Sequence, residues 1–173
     1  IPIQCSYFPA TNLLDLKLTG MQGDVMKESM SVAKTLAWNL TNKKTRNAFF
    51  KNNEKNKNGG LHIHCPEGAV PKDGPSAGTA ITSAIFSLIN NKKIKNNVAI
   101  TGEINLQGCV TEIGGLELKI MGGLKAGIKT FIFPKTNLKD YNKFLEKFPD
   151  IDLSDIQFYP VEKIDEVFEL LFV

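Results

Sequence analysis

Between residues 66 and 75 the chain carries three prolines, Pro66, Pro71 and Pro75, and two glycines, Gly68 and Gly74. Proline fixes its own φ and lacks the amide that helix interiors and central strands require, so this stretch must be a loop. It separates two periodic segments. Leu61-His62-Ile63-His64-Cys65 alternates apolar and polar side chains and predicts a strand. Residues 76–89 place Ala77, Ala80, Ile81, Ala84, Ile85 and Leu88 at helical spacing, on a face whose small side chains allow close packing.

The remaining pattern extends this alternation. Residues 14–19 read as a half-buried strand and residues 20–23 as a turn. Asp24 is expected to cap a helix whose apolar positions run from Val25 and Met26 to Leu40, with Trp38 packing near its end. Residues 42–60 are rich in Asn and Lys and broken only by Ala48-Phe49-Phe50. They predict a long surface loop, an insertion with room for a short helix around the two phenylalanines. Residues 98–100 form a buried strand, and residues 104–106 and 109–111 flank a turn at Gln107-Gly108. Gly114-Gly115 opens a helix through Ala126, closed by Gly127. A strand at 129–133, a helix at 138–148, a strand at 156–159 and a helix at 163–171 complete the chain. The fold class is therefore α/β (α+β), a single domain over residues 1–173 with mixed sheets flanked by helices.

Composition narrows the function. The chain has 173 residues, 42% hydrophobic and 23% charged, which excludes disordered and collagen-like classes. It holds no run of 18 apolar residues, which excludes a transmembrane helix. Net charge is only +3, and Arg46 is the one arginine among 21 basic residues. Arginine is the usual choice for bidentate phosphate and guanine contacts, so nucleic acid is not the expected partner. Three cysteines, Cys5, Cys65 and Cys109, lack scaffold-like spacing and favour a reducing compartment. The chain opens on Ile1 without a signal pattern, so a fragment of a longer protein is expected.

The stretch Pro66-Glu67-Gly68-Ala69-Val70-Pro71-Lys72-Asp73-Gly74-Pro75-Ser76-Ala77-Gly78 puts a serine where a rigid loop becomes the first turn of a helix. A hydroxyl there is exposed beside unpaired backbone amides and the positive end of the helix dipole, which suits an oxyanion. Gly74 and Gly78 permit close backbone approach on either side. The plainer reading is that Ser76 merely caps the helix. A nucleophile also needs a base: His62 or His64, with Asp73 as orienting acid, or a lysine kept neutral by burial. Spacing alone does not choose among them.

Three blocks in this order, residues 66–78, then Thr101-Gly102-Glu103-Ile104, then Gly114-Gly115-Leu116-Glu117-Leu118-Lys119, resemble the proteolytic domain of Lon proteases. The upstream run Thr19-Gly20-Met21-Gln22-Gly23-Asp24-Val25-Met26-Lys27-Glu28-Ser29 resembles that family's helix start, and the likeness covers the chain from about Leu18 to its end. The resemblance implies a serine endopeptidase with a Ser–Lys dyad: Ser76 as nucleophile, Lys119 as general base. It implies that Thr101 holds the lysine by a hydrogen bond and that Asp73 and Gly74 shape the active-site loop. His64 lies near that loop without a catalytic role. The Ser76 amide and a neighbouring loop amide would form the oxyanion hole.

The resemblance further implies no metal or cofactor in this domain, ATP and Mg being used by an ATPase domain that precedes it. It implies unfolded polypeptide substrates, bound extended beside a strand edge, and a hexameric homo-oligomeric ring without membrane attachment. The expected compartment is the mitochondrial matrix, with the bacterial cytoplasm as the alternative. The rival function is a Lon-like assembly or DNA-repair module that has lost proteolysis. This chain departs from the family at Glu117-Leu118, where a Lys-Glu pair is typical, and at Gly122-Gly123 in place of alanines, which predicts a looser helix.

Three other motifs carry less. His62 and His64 share a strand face, but Cys65 points the other way and no second cluster supplies metal ligands. Residues 122–130 approach a phosphate-binding loop, yet Ile128 intrudes and the order of helix and strand is reversed. The late aromatics Phe144, Phe148, Phe158, Tyr159, Phe168 and Phe172 follow element periodicity and read as core or subunit contact.

Overall fold

The computed structural model describes residues 1–20, 22–66 and 74–173. The first sheet has the order β1-β3-β2, with β1 (Gln4–Phe8) antiparallel and β2 (Leu16–Thr19) parallel to the central β3 (Gly60–His64). The parallel pair is joined through α1 (Asp24–Leu40) and α2 (Lys43–Asn56). α3 (Gly78–Asn90) lies against α1, and both cover the sheet face that presents Leu61 and Ile63. Met30, Ala33, Ala37, Ile81 and Ile85 are buried in that core.

The second sheet is all parallel, in the order β4-β7-β8: β4 (Val98–Ile100), β7 (Thr130–Pro134) and β8 (Gln157–Val161). Helices α4 (Leu116–Lys125) and α5 (Leu138–Lys147) make the crossovers, as parallel pairing demands. α6 (Ile164–Leu171) closes the chain. A short hairpin, β5 (Glu103–Ile104) with β6 (Val110–Thr111), links the halves. One core joins Ile104 and Val110 to Ile132, Val161 and α6, while another gathers Ile113, Leu116 and Ile120 against Phe131, Phe133 and Phe144. The α/β (α+β) class with mixed sheets is the one expected.

Two expectations need correction and a third needs refining. Residues 42–60 are not a loop, since α2 occupies 43–56. Asn42 caps it by accepting the Thr45 amide at 2.8 Å, and Lys57 ends it in a left-handed conformation. α2 buries none of its residues. It is held where Phe49 and Phe50 meet the Trp38 ring edge-on at 5.8 and 5.4 Å, with the Arg46 guanidinium 6.0 Å from the same ring. Asp24 is the first residue of α1 rather than its cap, which is Gly23; its carboxylate faces the positive end of the dipole instead. Of the two glycines expected to loosen α4, Gly123 also has a packing role: a Cβ there would run into the Phe131 ring, so the glycine lets α4 close onto β7.

Candidate active site

Ser76 lies in the turn that leads into α3, two residues ahead of Gly78 and at the positive end of that helix's dipole. Gly78 is buried, and a Cβ on it would stand 2.8 Å from both Ile104 Cγ2 and Ser29 Oγ. The glycine thus lets the first turn of α3 press against β5 and α1. Just before this turn Gly74 has φ +106°, a conformation that glycine adopts without strain. Asp73 lies outside the described residues.

Backbone bonds tie this turn to the end of β4. Gly102 N–H donates to the Ser76 carbonyl at 2.8 Å, and the Gly102 carbonyl accepts from the Thr79 amide at 3.1 Å and the Thr79 hydroxyl at 2.9 Å. Thr79 is fully buried, so its hydroxyl needs this partner. Thr101 follows β4 directly, its amide held by the Ile132 carbonyl at 3.0 Å. Its hydroxyl reaches both segments, donating in a long 3.5 Å contact to the Ser76 backbone carbonyl and accepting from Lys119 Nζ at 3.4 Å.

Lys119 stands in the first turn of α4, its amide bonded to the Gly115 carbonyl at 3.2 Å. Although part of the residue meets solvent, desolvation pulls the pKa of its amine below the usual lysine value. Its position at the positive end of the α4 dipole acts in the same direction. Ser76, Thr101 and Lys119 line one cleft of about 730 Å³. The cleft runs along the small-residue face of α3, Ala77, Ala80 and Ala84, opposite Val98, Ile100 and Ile120. A hydroxyl, a partly desolvated amine and a hydroxyl that fixes the amine can together move a proton and attack a carbonyl.

His64 is not part of the described lining. It sits on β3 with His62, where Thr19 Oγ1 is 2.7 Å from His64 Nδ1 and 2.8 Å from His62 Nε2. Among the described residues no group of three or more His, Cys, Asp or Glu could hold a metal ion, and no helix is long and apolar enough to cross a membrane. Sequence reasoning missed Thr79 and the backbone role of Gly102. The only signal was the glycine of the Thr101-Gly102-Glu103-Ile104 block, and nothing in local spacing pointed to Thr79.

Residues 1–173 match the family model of the Lon protease (S16) C-terminal proteolytic domain. The chain is 42% identical over 158 residues to the mitochondrial Lon protease homolog of Phaeodactylum tricornutum, covering 91% of this chain and 17% of that protein. It is 43% identical over 155 residues to the Lon protease of Fervidobacterium nodosum, covering 90% and 18%. With the Lon protease of Clostridium acetobutylicum the figures are 41% over 170 residues, 98% and 20%. The chain spans about a fifth of the length of these relatives. With the whole chain matched and identities above 40%, this chain belongs to the family of Lon protease C-terminal proteolytic domains.

Proposed function

We propose that this chain is the peptide-cutting domain of a longer, ATP-dependent serine endopeptidase that acts through a Ser76–Lys119 dyad. The observation that carries this reading is the Thr101 hydroxyl, 3.4 Å from the Lys119 amine at one side and in contact with the Ser76 carbonyl at the other. Neutral Lys119 accepts the Ser76 proton as Oγ attacks a peptide carbonyl, and backbone amides at the start of α3 receive the oxyanion. The tetrahedral intermediate collapses as the Lys119 ammonium protonates the leaving amine, which gives an acyl-enzyme. Lys119 then takes a proton from water, whose oxygen attacks the ester, and returns that proton to Ser76 Oγ as the ester bond breaks.

β4 is an edge strand that runs along the cleft into Thr101, so an extended polypeptide laid against it presents its carbonyls toward the dyad. Asp73 and Gly74 shape the loop before Ser76, and His64 supports it from β3. ATP and Mg serve an ATPase domain of the longer protein, which works as a hexameric ring on unfolded polypeptides in the mitochondrial matrix. The relatives include both a mitochondrial protein and bacterial ones, and the bacterial cytoplasm is the alternative compartment.

The test is hydrolysis of casein or a short peptide by the full-length protein with ATP. Lys119→Ala should lower turnover roughly 10²–10⁴-fold, and Ser76→Ala should abolish the acyl-enzyme. Full activity in Lys119→Ala would remove the dyad. Loss of turnover in folded His64→Ala alone would replace it with a histidine-based mechanism.

A further inference from the structure

We propose that Asn137 is a positioning residue for Lys119, an inference that rests on the reading of Lys119 as the base. Asn137 is 0% exposed, at the end of a 3-10 turn (Lys135–Asn137) between β7 and α5. Its side-chain amide is fully engaged. Oδ1 accepts the Ile113 amide at 3.0 Å, while Nδ2 donates to the Ile113 carbonyl at 2.8 Å and to Asp140 Oδ2 at 2.8 Å. The two bonds to Ile113 copy the reciprocal pairing of neighbouring strands. Asp140 accepts only from a donor, so it fixes which end of the amide is nitrogen and turns the oxygen toward the Ile113 N–H.

Ile113 is the last buried residue before the turn that opens α4. Gly114 and Gly115 form that turn, and a Cβ on either would meet nothing within 4 Å, so no side-chain packing at these two positions fixes its course. Gly115 takes φ +72° to swing the chain into α4. Two adjacent glycines give the backbone its greatest freedom at the point where the base-bearing helix begins. Ile113, Leu116 and Ile120 bury into the core below, and the pair Leu116–Ile120 sets which face of α4 turns inward, while the glycine turn leaves the start of the helix to be placed from Ile113. The Asn137 amide pair supplies the direction and so sets where the Lys119 amine points relative to Thr101. The nearby Lys139–Glu112 ion pair, at 2.7 Å, joins the same two segments, yet both side chains are more than half exposed and it contributes little.

The experiment measures kcat, KM and the pH–rate profile for peptide hydrolysis by the full-length protein with ATP. Asn137→Asp removes the donor to Ile113 and faces Asp140 with a second carboxylate. It should lower kcat about 10²-fold, the scale of a misplacement near 1 Å, with KM little changed. Its rising pH limb should move up toward the ordinary lysine value as Lys119 gains solvent. Asp140→Ala, at a half-buried position, should move both readouts the same way by less, and Lys139→Ala should match wild type. A wild-type limb in either folded Asn137→Asp or Asp140→Ala overturns the proposal, even where kcat has fallen. Should Asn137→Asp not fold, the limb of Asp140→Ala decides alone. If Lys119→Ala is as active as wild type, the dyad reading has failed and takes this one with it. If Lys119→Ala is dead while the Asn137 and Asp140 variants keep the wild-type profile, the fault lies with Asn137 only.

Discussion

The carbonyl of Gly102 accepts two hydrogen bonds from one residue, the amide and the hydroxyl of Thr79, while the Gly102 amide holds the Ser76 carbonyl. The turn that carries Ser76 and the strand end that carries Thr101 are thereby tied together. Thr79→Val keeps the shape and loses the hydroxyl, which should lower stability by about 1 kcal/mol and the Tm by roughly 2–4 °C. Gly102→Ala is harsher, because its Cβ would lie 2.5 Å from Val110 Cγ1 and 2.9 Å from Thr79 Oγ1. A loss of about 1–3 kcal/mol is expected. Thermal melts of both variants check the order, and a Gly102→Ala protein as stable as wild type would contradict it.

If Lys119 is the base, as proposed, the pH dependence of turnover has a definite sign. Desolvation penalises the ammonium, so the neutral amine forms at lower pH than for an ordinary lysine. Turnover should rise with pH, with a midpoint below the usual lysine value. The same shift means that the folded protein binds this proton less tightly than the unfolded chain, so the charged lysine works against folding at neutral pH. Lys119→Met should therefore melt at or above the wild-type temperature while turnover is lost. A clear drop in its Tm would show the amine to be a stabilising contact instead.

Helix α4 contains two glycines with opposite expectations. A Cβ on Gly122 meets nothing within 4 Å, so Gly122→Ala should gain the helix propensity difference of about 1 kcal/mol. Gly123→Ala drives a methyl group into the Phe131 ring and should destabilise. Paired denaturant titrations read the two signs directly, and shifts of equal sign would refute the packing argument.

The three cysteines form no disulfide and should differ in reactivity. A hydrogen bond from Lys163 Nζ, 3.0 Å from Cys109 Sγ, lowers the pKa of that thiol. Burial pushes the Cys5 thiol up to about 11, and Cys65 is 0% exposed. Iodoacetamide at neutral pH should modify Cys109 first, and Lys163→Ala should slow it. Peptide mapping by mass spectrometry gives the order, and faster labelling of Cys5 would reverse it.

The parts legible in the sequence are those whose signal is local. α1, α3 and α4 show helical apolar spacing, and β3, β4 and β7 are short apolar or alternating runs, so each was readable to within a residue or two. The loop-to-helix serine announced itself by its prolines, and Lys119 by a resemblance rather than by spacing. α2 was legible only as a short helix around Phe49 and Phe50, because none of its residues is fully buried: the Asn42 cap and the contacts of the two phenylalanines with Trp38 extend it, and periodicity does not encode these. β1 is a sheet-edge strand ended by Pro9 and holds none of the aliphatic residues that mark β3 and β4. Thr79, Asn137 and Gly123 act through partners far along the chain, Gly102, Ile113 and Phe131, and no local pattern carries such pairs.

The order of the first sheet has a consequence for how the chain is made. β3 lies between β1 and β2, yet it is synthesised last of the three, after all of α1 and α2. A nascent chain leaving the ribosome therefore presents two strands with no partner and a helix whose apolar face has nothing to cover. Only when residues 60–64 emerge can the sheet zip from its middle outward, and the loop leading to Ser76 follows at once. The Ser76 half of the candidate site is thus built on a scaffold that closes moments before it, whereas Lys119 must await the second sheet.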